Sequence, residues 1–313
     1  MTLHARWVVC LVLVTGALAG GASGLQAQTS FLRVAPDLYF YDTGGAANST
    51  VLITAEGVLI VDSQPSQRAA EALLAEIRKV SAAPITWVVN GQDHGDHYFG
   101  NGVFKREGAA IVAEAETART IGRNYEYELE WRGQDRADAP HVAPDLTFSN
   151  QMTIRLGERE AILVHIGAGQ NPGDTVVLFP HARAAYASGA FAPKSWSSTA
   201  YASSLDAWMA VLEKIKALDV DTYLPGHGHL VTDRAEIDEE IVFLRELEAA
   251  VLEAIAKGLD AEQAARTLTF QRYADWRGSD RRERNIRNAH YLLTTGRPIY
   301  FDYLDGRTAL RPY

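Results

Sequence analysis

The stretch Asn90–Asn101, NGQDHGDHYFGN, follows the apolar run Ile85–Val89, ITWVV. The run is rich in β-branched and aromatic residues and reads as a buried strand. Beyond it, Asp93, His94, Asp96 and His97 crowd into five positions, with Gly95 breaking any further strand. A loop at a strand end can turn several such side chains toward one point. Imidazole and carboxylate together suit zinc or a similar divalent ion. For any one of these histidines a solvated polar loop is the simpler reading; their density after a buried strand favours metal. Two residues before His94 stands Gln92, an amide where another imidazole would be expected.

The segments around this loop fall into two β-rich blocks. DLYFYDT, STVLITAEGVLIVDS, ITWVV and AAIVAEAE form the first, with AEG suggesting a hairpin turn. A helix is expected over Pro65 to Lys79, with Ser63 near its start and Ala69, Ala70, Leu73, Leu74 and Ile77 as its apolar stripe. A charged helical segment runs to about Trp131. LTFSN, QMTIRL, EAILVHI, DTVVLFP and AAYASGA form the second block. Ser204 then opens a helix with Leu205, Trp208, Met209, Leu212 and Ile215 on one face. After DTYLPGHGH, Asp233 and Glu236 stand at capping-box spacing before a long helix that Gly258 should stop. Its expected stripe includes Ile237, Ile241, Leu244, Val251 and Leu252. A last helix is expected over Arg281 to Leu292, and RGSDRRER (Arg277 to Arg284) reads as a solvated helix face. Two β blocks with flanking helices imply an α/β protein, two sheets face to face with helices outside.

The first 27 residues read as a secretory signal peptide: Arg6, an apolar run from Trp7 to Ala19, then a cleavage triplet Leu25-Gln26-Ala27. The expectation is export to the periplasm or medium, and no membrane attachment after cleavage. Residues 28–313 are then one domain with a C-terminal helical extension. Cys10, the single cysteine, lies in the leader, so the mature chain has no thiolate ligand or nucleophile. A net charge of −9 argues against nucleic acid as partner; the expected partner is a small-molecule substrate.

A second histidine segment is Tyr223–Val231, YLPGHGHLV, in which His227 is flanked by glycines at a strand end. Together with LIVDS ending at Ser63, GAGQNPGDTVVLFP and AYASGAF, these segments resemble the metallo-β-lactamase superfamily. The marker loop of that family, H-x-H-x-D-H, here reads Q-x-H-G-D-H. The resemblance runs from about Leu32 through the PGHG turn and implies an αββα four-layer sandwich.

The resemblance also implies roles for individual residues. The three-histidine metal position falls on Gln92, His94 and Gln170, a poor ligand set. The second position falls on Asp96, His97 and His227, all present, while the bridging position is Ala190. This implies one zinc per chain on Asp96, His97 and His227, and a metal-dependent hydrolase. Metal-bound hydroxide would attack an amide, lactam, lactone or ester carbonyl, with β-lactam hydrolysis among the options. His94 would serve as general base or proton relay, and Gln92 and Gln170 as amide donors to an oxyanion. Asp62 would steady a ligand imidazole. The alternative is a ligand- or metal-binding member of the fold without catalysis, with Gln92 and Gln170 drifted. His165, Lys194 and His229 read as a sheet-edge, an exposed and a surface residue.

Overall fold

The computed structural model describes residues 29–312; the expected leader, with Cys10, lies outside the described residues. Seven strands make the first sheet in chain order: β1 (Ser30–Ala35), β2 (Leu38–Asp42), β3 (Ser49–Thr54), β4 (Gly57–Val61), β5 (Ile85–Asn90), β6 (Ala110–Glu114) and β7 (Leu146–Phe148). β1 to β4 pair antiparallel, with two-residue turns between β1 and β2 and between β3 and β4, and β4 to β7 pair parallel. Helical connections lie between the parallel strands: α1 (Gln67–Val80), α2 (Gly95–Tyr98), α3 (Asn101–Arg106) and α4 (Ala115–Trp131). The second sheet runs β12 (Thr222–Leu224), β11 (Ala184–Tyr186), β10 (Thr175–Phe179), β9 (Arg159–His165) and β8 (Gln151–Leu156). α5 (Leu205–Lys216), α6 (Ala235–Ala256), α7 (Ala261–Thr267), α8 (Arg282–Thr295) and α9 (Ile299–Leu304) complete the chain.

Strand alternation builds the layers. In β4, Leu59 and Val61 face the second sheet, meeting Leu163, Val177, Phe179 and Tyr186 in one core. Val58 and Ile60 face the other way, onto Ala70, Leu73 and Ile77 of α1 and Phe104 of α3. The outer face of the second sheet, including Val176, Ala185 and Tyr223, is covered by α5, α6 and α8. The order is therefore helix, sheet, sheet, helix, as the sequence implied. Burying both faces of β4 explains why its sequence is a continuous apolar run. No helix among the described residues is long and apolar enough to cross a membrane.

Several local expectations are corrected. α1 starts at Gln67, not Pro65: Ser66 is its N-cap and accepts from the Ala69 amide, and Pro65 precedes the cap. No side-chain cap opens α6; Asp233 instead accepts from the Ala235 amide. Leu252 points outward on α6 at 47% exposure, while Leu247 and Ala254 take the buried stripe. Ser204 caps α5 as expected, and Gly258 follows α6 in the left-handed conformation. The run Arg277–Arg284 is not one helix face. Gly278 adopts φ 74°, a short 3-10 turn follows, and α8 begins only at Arg282.

Candidate metal centre

The centre is assembled where both sheets end. β4 runs directly into Asp62, held in the left-handed region at φ 62° and fully buried. Its Oδ1 accepts from the Gly91 amide at 2.7 Å. Its Oδ2 accepts from Tyr186 at 2.7 Å and Ser188 at 2.9 Å, both on or just after β11. The same oxygen lies 2.6 Å from His97 Nδ1. A carboxylate only accepts, so Nδ1 carries a proton, and Nε2 is the nitrogen turned toward the ligand set.

That nitrogen meets two other ligating groups. His227, on the turn after β12, places its Nε2 3.1 Å from His97 Nε2, with the rings nearly perpendicular at 87°. Asp96 Oδ2 lies 3.5 Å from His227 Nε2, and Asp96 Oδ1 lies 4.0 Å from His97 Nε2. All three residues have ligating atoms within 4.8 Å of one another. A tetrahedral ion with bonds near 2.0 Å separates its ligands by about 3.3 Å, so the spacing suits one zinc-sized cation. The one-turn helix α2 accounts for this: His94 precedes it, and Asp96 and His97 lie within it.

The charges also fit a cation. Burial disfavours ionised Asp96, yet Arg132 and the histidines overcome this and hold its pKa well below the usual carboxylate range. Burial opposes protonating His97, but Asp62 and Asp96 prevail and raise its pKa. His227 is held down to about 3, mainly by burial, so its imidazole is neutral and free to ligate. The carboxylate of Asp96, kept ionised beside a neutral His227, is the charged ligand that a divalent cation would meet here.

The other half of the loop is arranged differently. Gln92 Oε1 accepts from Asn171 Nδ2 at 2.6 Å, and Gln170 Oε1 accepts from the same group at 3.2 Å. Both amide oxygens, the atoms that bind cations, are thus turned onto Asn171. Gln170 Nε2 reaches the Ser198 carbonyl at 3.4 Å, while Gln92 Nε2 is buried without a partner. Gln92 packs against Gly189 so closely that a Cβ there would collide with its amide. His94 rests on the Tyr201 ring at 3.9 Å, and burial pushes its pKa down to about 4, leaving it neutral. Ala190 brings only its carbonyl, which accepts from Trp208 Nε1.

Gln92, His94, Asp96, Gln170 and His227 all line one cleft. His97 sits beneath it, fully buried. So the residues that the resemblance assigns to the metal and to the chemistry beside it are brought together here. His165 lies at a strand end, bonded to the Asp174 carbonyl; His229 is exposed and pairs with Glu236 at 2.9 Å; Lys194 is exposed.

Four residues escaped the sequence reading. Glu128, fully buried in α4, accepts from the Gly95 amide at 3.0 Å, Arg132 Nε at 2.8 Å, Tyr201 at 2.8 Å and Tyr300 at 3.1 Å. Arg132 in turn pairs with Asp96 Oδ1 at 2.8 Å. Glu128 thereby ties the metal loop to α4 and to α9 of the C-terminal extension. Its only signal in the sequence is the i,i+4 spacing of Glu128 and Arg132, common on any helix surface. Tyr201 and Arg277, also at the cleft, carry no local signal.

The chain matches the metallo-beta-lactamase superfamily over residues 42–227. It is 24% identical over 229 residues to the linear primary-alkylsulfatase of Pseudomonas sp., covering 61% of this chain and 43% of that one. It is 24% identical over 183 residues to the metallo-beta-lactamase type 2 of Elizabethkingia meningoseptica, covering 56% of this chain and 67% of that one. Among solved structures, the stereoselective inverting sec-alkylsulfatase from Pseudomonas sp. superposes with a TM-score of 0.70 at 16% identity, covering 91% of this chain and 52% of that one. The chain thus spans about half the length of the alkylsulfatases it matches. The family match covers more than half of the 313 residues and takes in Asp62, the marker loop and His227: the chain belongs to the metallo-beta-lactamase superfamily.

Proposed function

We propose that the protein is a zinc-dependent hydrolase with one metal per chain, held by Asp96, His97 and His227. The observation that carries this is the convergence of the three ligating atoms, with the far nitrogen of His97 locked on Asp62. Three protein ligands leave a coordination position open, the count of a catalytic rather than a structural site. What a divalent cation supplies there is Lewis acidity, toward water and toward the oxygen of a scissile bond.

The chain's own groups do the rest. Asp62 fixes the tautomer and ring orientation of His97. Arg132 holds one Asp96 oxygen, leaving Oδ2 to ligate. Gln92 Nε2, buried and without a partner, is a neutral donor for oxygen charge developing in the cleft. His94, neutral and with Nε2 free, accepts or relays a proton beside it.

The bond class is an ester, amide, lactam or lactone carbonyl; the likeness to alkylsulfatases adds sulfate esters. In this reading the enzyme acts on a small-molecule substrate outside the cytoplasm, an address that the leader-like first 27 residues support. A panel of carboxylic esters, amides, lactams, lactones and sulfate esters, assayed with and without chelator, tests it. Turnover that chelator abolishes and zinc restores is expected. Turnover indifferent to chelator would contradict the reading, as would binding of panel members without any turnover, the outcome for a binding-only member.

A further inference from the structure

Arg277 lines the same cleft from outside the stretch that matches the family. Its backbone is pinned on both sides: its amide donates to the Lys194 carbonyl at 2.9 Å and its carbonyl accepts from the Trp196 amide at 2.8 Å. The neighbouring Trp276 is buried against Phe243 and Tyr273. The side chain is therefore presented by a rigid support. Its Nη2 is buried without a hydrogen-bond partner and lies close to Gly228, next to His227.

Arg281 lines the cleft too, folded over Gly278, and its charge acts on Arg277. No carboxylate forms an ion pair with Arg277 among the described residues. Its nearest acidic influences, Asp42 and Glu240, act only at a distance. Burial pushes Glu240 up to about 8, so that carboxyl is largely uncharged at neutral pH. Other arginines of the chain are treated differently: Arg183 is held by Asp219 and Asp221, and Asp302 takes both Arg297 and Arg307. Arg277 is half-buried with one guanidinium nitrogen unpartnered, and the like charge of the exposed Arg281 beside it adds repulsion that no paired carboxylate offsets. An anion bound between them offsets that repulsion, and a guanidinium fork matches the oxygens of a carboxylate or sulfate-type group.

We propose that Arg277, backed by Arg281, is the subsite that binds the negatively charged oxyanion group of the substrate beside His227. Ser195, Ser197 and Ser198 on the same wall supply hydroxyl donors to it. The substrate is then an anionic molecule, and Arg277 sets that specificity. This rests on the cleft being the substrate cleft, but not on turnover.

The test is calorimetric binding of benzoate, benzenesulfonate and neutral benzamide to the full chain, zinc-loaded and chelator-treated. Both anions, or one of them, bind the wild type, and the pair shows whether the site favours a planar or a tetrahedral oxyanion. Arg277→Gln weakens the bound anion by about tenfold or more in both metal states, and Arg277→Lys by less. Benzamide binding stays weak and unchanged. Arg281→Gln, at an exposed position, gives a smaller loss and serves if Arg277→Gln does not fold. Equal anion affinity in wild type and both glutamine variants would overturn the proposal, as would benzamide binding as tightly as the anions. Anion binding that persists in a chain with no hydrolytic activity would sink the hydrolase reading alone.

Discussion

Asp62 Oδ2 lies 2.6 Å from His97 Nδ1, and this contact decides which nitrogen of His97 faces the ligand set. Asp62 touches nothing in the cleft itself, since it is fully buried beneath it. Partners of this kind typically govern metal affinity by 10–100-fold, roughly, through ligand orientation and basicity. Asp62→Asn is expected to lower zinc affinity in that range while the fold survives, measured by competition with a chromophoric chelator. Unchanged affinity would show that His97 is oriented by its packing alone.

The glutamine half of the loop gives a second prediction. Because Asn171 holds both amide oxygens, neither Gln92 nor Gln170 offers a cation its ligating atom. Gln92→His alone should leave the metal count at one per chain. The double variant Gln92→His/Gln170→His, which completes a set with His94, should take up a second ion, read by elemental analysis after dialysis. A wild-type chain already holding two ions would refute this account of the glutamines.

Glu128 carries a third. Its carboxylate is fully buried and satisfied by four donors, one of them Arg132, which is itself largely buried. Removing one partner of a buried ion pair strands the other and costs about 3–5 kcal/mol. Glu128→Ala should lose stability on that scale in urea denaturation, and Glu128→Gln less. Both should also weaken metal binding, because Gly95 and Arg132 position Asp96. Full stability in Glu128→Ala would remove it as the hub of this network.

The pH dependence of stability gives a fourth. Glu240 is buried in α6; one oxygen accepts from the Ala192 amide at 3.1 Å and the other has no partner. Burial raises its pKa from 4.5 to about 8. The folded state therefore holds this proton more tightly than the unfolded chain does. Its contribution is fully favourable below pH 4.5 and is lost as the pH rises to about 8. Glu240→Gln should flatten that decline, so the variant gains on the wild type between those limits. Parallel melting curves across the range would contradict the assignment.

The layers and the ligand triad were legible because each leaves a local pattern. Continuous apolar runs such as that of β4 mark strands buried on both faces, and Asp96, His97 and His227 sit in short glycine-flanked segments. What was not legible depends on distance along the chain. Tyr300 reaches Glu128 across 172 residues, and nothing near either residue announces it. Arg277 looked like part of a solvated run, because a basic stretch gives no hint that Gly278 breaks it and that Trp276 anchors its start. The start of α1 was misplaced for a smaller reason: Ser63 and Ser66 are equally good caps by type, and only the backbone selects Ser66.

The most direct test of the central claim is the zinc content of the purified full chain, wild type and His227→Ala, measured alongside chelator-sensitive hydrolysis. The account predicts one tightly held zinc per wild-type chain, and loss of both zinc and hydrolysis in a His227→Ala variant that still folds. A wild-type chain that retains no zinc after loading, or a His227→Ala chain with undiminished metal and turnover, would contradict it.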